Sequence, residues 1–287
     1  MFVLSHHPHI HHQAKAERLA LHTALALGPM ALAAAFLWPA RFMLLLALTI
    51  LAGIGAGLGM GRGKITRAGA GWCLYEALLL ALLMPESVSW FIPALMTAAV
   101  VFARTLIADR DFLPPVNMPA LAVGTSALFS APGIFALSFG SPTSIWGVTR
   151  GNFFFLSGWL PMLASLALTR AAQARYFKWR AFGSFLLSAG LAIVVWTMLS
   201  GISLAPGWTL MPLYLAGFAA FALIADPRAT PLSARGQTAA GSLAGIVFAL
   251  FAIRGMFYQG MVFSALAANL ITPMLDYVLA GAPARER

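Results

Sequence analysis

Ten apolar stretches constrain this chain more than any other feature: roughly 19–39, 42–60, 69–84, 89–107, 119–139, 152–169, 181–200, 208–225, 237–253 and 258–280. Each comes near the ~20 residues that cross ~30 Å of hydrocarbon, allowing for tilt. The basic residues separate when counted on alternate sides of these spans. Lys15, Arg18, Arg62, Lys64, Arg67, Arg104, Arg110, Arg170, Arg175, Lys178, Arg180, Arg228, Arg235, Arg285 and Arg287 share the N-terminal side; Arg41, Arg150 and Arg254 fall opposite. Fifteen against three is a positive-inside pattern that places both termini in the cytoplasm. The expected fold is all-α: a polytopic membrane bundle of about ten transmembrane helices.

Composition agrees, with 61% apolar residues, 9% charged residues and a mean hydropathy of +0.86. The net charge of +10 reads as cytoplasmic loops facing anionic lipid headgroups. With the charge so explained, nucleic acid is not an expected partner. Residues 1–18 form a polar, histidine-rich tail with no apolar core before a cleavage site, so insertion is expected to use the first span as an uncleaved anchor. Residues 19–280 read as one transmembrane domain, with halves 19–139 and 152–280, and residues 281–287 as a cytoplasmic end. Five spans per half would invert the halves relative to each other.

The lone cysteine, Cys73, excludes a cluster ligand set or an internal disulfide. Five histidines (His6, His7, His9, His11 and His12) sit in the tail and only His22 lies near a span, so a bis-histidine haem is unsupported. The tail histidines could ligate a transition metal, but the plainer reading is a polar tail, and no metal site is expected. Glycines at 53, 55, 57, 59, 61 and 63 fit neither G-x-G-x-x-G nor the P-loop pattern. They form two small-xxx-small ridges, Gly53/Gly57/Gly61 and Gly55/Gly59/Gly63, which predict close helix packing in lipid.

Charges at membrane depth cost about 2.5–3.5 kcal/mol on insertion scales, so each asks for a reason. Glu76 in the third span and Asp276 in the tenth are the candidates for an ion or proton path. The alternative is a helix-to-helix hydrogen bond, or for Asp276 a cap or a pairing with a loop arginine. Asn152, Tyr214 and Asn269 add polar groups within or at the edges of spans. Two proline-broken segments, 114–119 and 226–231, free backbone groups at span edges, where a cavity or ligand can use them.

At these residues the chain resembles the RnfD/NqrB family. Ser5-His6-His7-Pro8-His9 is similar to that family's S-P-H opening, and Leu78–Pro85 followed by Trp90 to its L-L-L-A-L-T-L-P stretch. Residues 115–120 resemble N-P-F-N-P-A. Asp226-Pro227 with Arg235-Gly236 resembles D-P-V-T…R-G, and 269–276 resembles N-x-x-x-P-L-I-D. The resemblance implies a membrane electron-transfer subunit of an ion-translocating oxidoreductase complex in a bacterial inner membrane, coupled to Na+ or H+ movement and not catalytic alone. It implies FMN, joined to a threonine of an S-G-A-T type motif facing outward between the fifth and sixth spans. The corresponding stretch here is 139–147, where Thr143 stands nearest, then Thr149, without the preceding Gly-Ala. A flavin held without a covalent bond (FMN or riboflavin) is the other expectation, with Trp146, Arg150, Asn152, Asn117 and Asp226 as candidate binding residues and the Phe153–Phe155 run nearby. Implied partners are other membrane subunits, an outward-facing flavoprotein and an iron–sulfur subunit. A flavin-free transporter or scaffold of the same fold is the competing reading.

Overall fold

The computed structural model describes residues 13–37, 39–60, 67–84, 91–108, 116–129, 160–173, 176–201 and 215–279. All regular structure among them is helical. In chain order the helices are α1 (Gln13–Ala26), α2 (Gly28–Leu37), α3 (Pro39–Met60), α4 (Arg67–Leu83), α5 (Phe91–Ala108) and α6 (Met118–Phe129), then α7 (Leu160–Gln173), α8 (Trp179–Ser200), α9 (Leu215–Ile224), α10 (Ala234–Ile253) and α11 (Phe257–Leu279). Every expected span has a helix within it. Among the described residues, five stretches are long and apolar enough to cross a membrane: 18–36, which joins α1 to α2, then 42–60, α8, α10 and α11. The protein is thus a multi-pass, all-α membrane protein.

Helix ends follow local chemistry. Ser233 caps α10, its hydroxyl accepting from the Gly236 amide at 3.0 Å. A side chain at Gly236 would press on that hydroxyl and on the Pro231 ring, which accounts for the glycine after Arg235. α8 stops at Gly201, whose φ of +65° a glycine adopts without penalty.

The chain forms two compact units, which do not coincide with the halves 19–139 and 152–280. The first contains α1–α5 and α7. Here α4 is the central helix: Leu78 through Met84 are all buried, as expected of a helix apolar on every side. α1 crosses α4 at Gly71, where a Cβ would lie 2.9 Å from that of Ala20. α3 packs on both α4 and α5, while α7 packs on α1 and α2. The second unit contains α6 and α8–α11. α10 packs along α8 and α11, and α6 joins at Gly124, where a Cβ would meet Leu266.

Packing depends on small residues because lipid offers no hydrophobic drive between helices. Of the α3 glycines, Gly53 meets Thr97 and Cys73, whereas Gly55 and Gly59 have no neighbour within 4 Å of a Cβ position. Only the ridge containing Gly53 therefore packs among the described residues. The closest approach lies elsewhere, where Gly241 and Gly245 of α10 fit against Ser184, Ser188 and the backbone of α8 at Ala181 and Phe185. Facing small-xxx-small pairs in the sequence carry that signal. Large apolar side chains such as Leu51, Leu187, Leu191 and Leu199 point outward, as lipid-facing surfaces require.

Candidate functional site

The described residues of each unit include a polar cluster. In the first, Glu76 lies in the middle of α4, about 13 Å along the axis from Arg67. Its side chain is 0% exposed and receives the Arg104 guanidinium of α5 at 2.8 Å. The other Arg104 terminal nitrogen stands 3.5 Å from Cys73 Sγ, one turn before Glu76 on the same helix face. Arg104 is 23% exposed, so it connects the buried carboxylate with the outside of the unit. Counting Arg104 among the loop cations misses this role, although its position inside an apolar run is the available signal. Removing one partner of a buried pair costs about 3–5 kcal/mol, because the other charge is left uncompensated.

The second cluster surrounds the 226–233 connection. The last turn of α9 widens to a π-helix over Ala219–Ile224, and the Ala225 amide bonds back to the Ala220 carbonyl at 3.0 Å. Such wide turns recur at functional sites. The chain then breaks at Asp226-Pro227. Asp226 Oδ1 accepts from the Arg228 amide at 3.0 Å, and Oδ2 from Asn117 Nδ2 at 3.1 Å and the Arg228 guanidinium at 3.4 Å. Asn117 also caps α6, its Oδ1 accepting from the Ala120 amide at 3.0 Å. Thr230 Oγ1 lies 2.6 and 2.7 Å from the carbonyls of Ile224 and Asp226, so one hydroxyl closes the turn.

One face of α11 fastens the connection from the other side. Asn269, Thr272 and Asp276 stand at helical spacings of three and four. Asn269, with its amide oriented by its neighbours, accepts from the Asn117 amide at 2.9 Å and donates to the Ala229 carbonyl at 3.2 Å. Thr272 donates toward the same carbonyl at 3.2 Å, and Asp276 accepts from the Leu232 amide at 2.8 Å. Asp276 thus holds backbone by its side chain. Its charge also reaches Lys178, just before α8. Burial pushes that ammonium below the ordinary lysine value, and Asp276 opposes the shift.

The cluster therefore gathers Asn117, Lys178, the 226–233 connection and the end of α11. Alternating spans assign all four to one aqueous side; within this unit Asn117, the connection and α11 are joined by hydrogen bonds, and Lys178 is near enough to feel the Asp276 charge. Asn117, Asp226, Asn269 and Asp276 stand out in the sequence; Arg228, Thr230, Thr272 and Lys178 do not, because threonine and loop cations are common and unspecific.

Thr143, Thr149, Trp146, Arg150, Asn152 and Phe153–Phe155 lie outside the described residues, as do the tail histidines and Tyr214. For a flavin phosphate, the fit at Asn117 and Asp226 is poor. Asp226 is itself an anion, and the donors around it (Asn117, Arg228 and a backbone amide) are turned onto its own carboxylate. No step through a flavin is assigned to these two residues.

The family model described as "NQR2, RnfD, RnfE family" matches residues 3–108 and 115–284. A protein of Klebsiella pneumoniae (strain 342), named for its membership of an ion-translocating oxidoreductase complex, is 32% identical over 100 residues, 35% of this chain and 29% of that protein. The protein of the same name in Yersinia enterocolitica serotype O:8 / biotype 1B (strain NCTC 13174 / 8081) is 31% identical over 127 residues, 44% of this chain and 33% of that one. The aligned stretches span about a third of those relatives' length.

Proposed function

The chain belongs to the NQR2, RnfD, RnfE family, and from that premise we propose that it is the membrane electron-transfer subunit of an ion-translocating oxidoreductase complex. The observation that carries this reading is the family match from residue 3 to residue 284, interrupted only at 109–114. Supporting it, the motif residues Asn117, Asp226, Asn269 and Asp276, drawn from separate segments, converge on one hydrogen-bonded cluster. The related proteins named above belong to complexes that move ions, and Glu76 and Asp276 are the carboxylates of the ion route here. An outward-facing flavoprotein and an iron–sulfur subunit are its partners, in the inner membrane of a bacterium.

A flavin supplies one- and two-electron exchange when bound. Its place in this reading is the outward 143–152 stretch, with Thr143 as the attachment point and Trp146, Arg150 and Asn152 around it. The protein purified in detergent, from cells containing the flavin-attaching enzyme, tests this. Absorbance of an oxidised flavin is expected. Fluorescence that survives denaturing electrophoresis and disappears in Thr143→Ala locates a covalent bond. Absorbance without such fluorescence identifies a dissociable FMN or riboflavin, and a colourless protein defeats the flavin reading.

A flavin-free ion-conducting bundle is the second reading. What favours it is the buried carboxylate–arginine pair in the first unit, together with the poor fit of a phosphate beside Asp226. Under that reading, Glu76→Gln abolishes ion flux in a colourless protein.

A further inference from the structure

We propose that the outer face of α8 seats an anionic phospholipid, with the lipid phosphate on the Arg180 guanidinium and one acyl chain along Gly183, Leu187, Gly190, Val194 and Met198. This site stands apart from the electron-transfer reading and from both polar clusters. Among the described residues, α8 is the least buried of the five long apolar stretches, with 11% of its apolar window inside the protein. Its inner side is occupied. Ala181, Phe185 and Ala189 are buried against Gly241 and Gly245 of α10, and the Phe182 ring lies 5.9 Å from Phe177, which in turn meets Phe221 of α9.

The opposite side carries the site. Arg180, Gly183, Leu187, Gly190, Val194 and Met198 are all exposed, and their spacings of three and four put them on one stripe. From Gly183 to Met198 the stripe runs about 22 Å. The two glycines have no neighbour within 4 Å of a Cβ position, so each leaves a notch between larger side chains. A flexible acyl chain lying there gains the dispersion contacts that a gap forfeits. Arg180 heads the stripe, on the side that the alternation of charges makes cytoplasmic, where the leaflet is anionic. It makes no ion pair among the described residues, whereas Arg228 pairs with Asp226 and Lys178 feels the Asp276 carboxylate. A guanidinium binds a phosphate diester through paired N–H donors. An ethanolamine headgroup would bring its ammonium in beside Arg180 and Lys178, so a glycerol headgroup, with no cation of its own, is the complementary one. Arg235 provides the contrast: it is exposed too, but Thr238 and Ser242 follow it on α10, so no continuous apolar stripe runs beneath it.

Native mass spectrometry of the detergent-purified full chain, titrated with phosphatidylglycerol or phosphatidylethanolamine of identical acyl chains, tests this. Wild type should hold phosphatidylglycerol more tightly. Arg180→Gln should weaken that binding about fivefold, the weight of one basic residue near an anionic surface, while Arg180→Lys keeps most of it. Arg235→Gln, with the same loss of charge, should leave it unchanged. Gly190→Leu fills a notch without meeting a neighbouring helix and should also weaken it. Thermal midpoints of these surface variants should equal that of wild type, which separates lost binding from lost folding. Equal binding of the two lipids by wild type, or equal losses in Arg180→Gln and Arg235→Gln, overturns the proposal. So does a protein occupant: a Leu187→Cys variant in a Cys73→Ala background that cross-links to another chain in native membranes gives this face to a partner subunit.

Discussion

Asn117 and Asp226, 109 positions apart in the chain, meet side chain to side chain at 3.1 Å where α6 begins and α9 ends. One amide group both caps a helix and holds a carboxylate. This contact joins two proline-broken segments that carry no sequence similarity to each other, and α11 locks both through Asn269.

Asp226→Ala leaves the Asn117 amide and the Arg228 backbone N–H without their acceptor. Each buried group so stranded costs about 1–3 kcal/mol. A lower thermal midpoint than wild type is expected in detergent, followed by tryptophan fluorescence, with Asp226→Asn falling in between. Equal midpoints for wild type and Asp226→Ala would remove the cluster as a stabilising element.

Gly245→Val places a branched side chain against Ser188 and the Phe185 carbonyl of α8. Overpacking of this kind costs about 1–3 kcal/mol, and more where backbone cannot yield. Gly55→Ala, with open space at its Cβ, serves as the control. The first should lower the midpoint and the second should not.

Lys178 contributes a pH dependence with a definite sign. Burial lowers its folded value below 10.5, so over the window between the two values the unfolded chain binds more protons. Stability therefore rises with pH through that window, the penalty for charging Lys178 being largest below it. Lys178→Met should flatten this rise in a series of midpoints against pH. Asp276→Asn removes the opposing carboxylate and should shift the rise to lower pH. A slope unchanged in Lys178→Met would show that another group is responsible.

Ser233→Ala removes the cap of α10 and should cost about 1 kcal/mol. The same measurement on Thr238→Ala, whose hydroxyl bonds only to the Ala234 carbonyl within an exposed turn, should show a much smaller change.

Sidedness can be read by labelling single cysteines in a Cys73→Ala background. Positions 180 and 235, both exposed, should react with a membrane-impermeant thiol reagent from one side, and exposed position 254 from the other. Reaction of all three from the same side would contradict the alternation of spans.

How far the site is legible depends on the kind of property involved. Asp226 and Asp276 stand out because a charge beside apolar sequence is conspicuous in any arrangement. Arg104 does not, because a cation near a span end is equally consistent with a solvated loop; only the rotation of α5 turns it onto Glu76. The glycine stripe of α3 is equally visible in both its registers, yet only the Gly53 ridge meets a neighbouring helix among the described residues. The Gly241/Gly245 contact with α8 is the tighter one, since there the facing helix also presents small residues.

Hydropathy and the alternation of charge are sums over single residues, set by what each costs to place in lipid or water. They therefore determined the multi-pass, all-α class without reference to any contact. Partnership is a property of helix rotation and register, which every neighbour influences at once. That is why the pairing of Glu76 with Arg104, of Asn117 with Asp226, and of α6 with α11 and α7 with α1 was decided only by the tertiary structure.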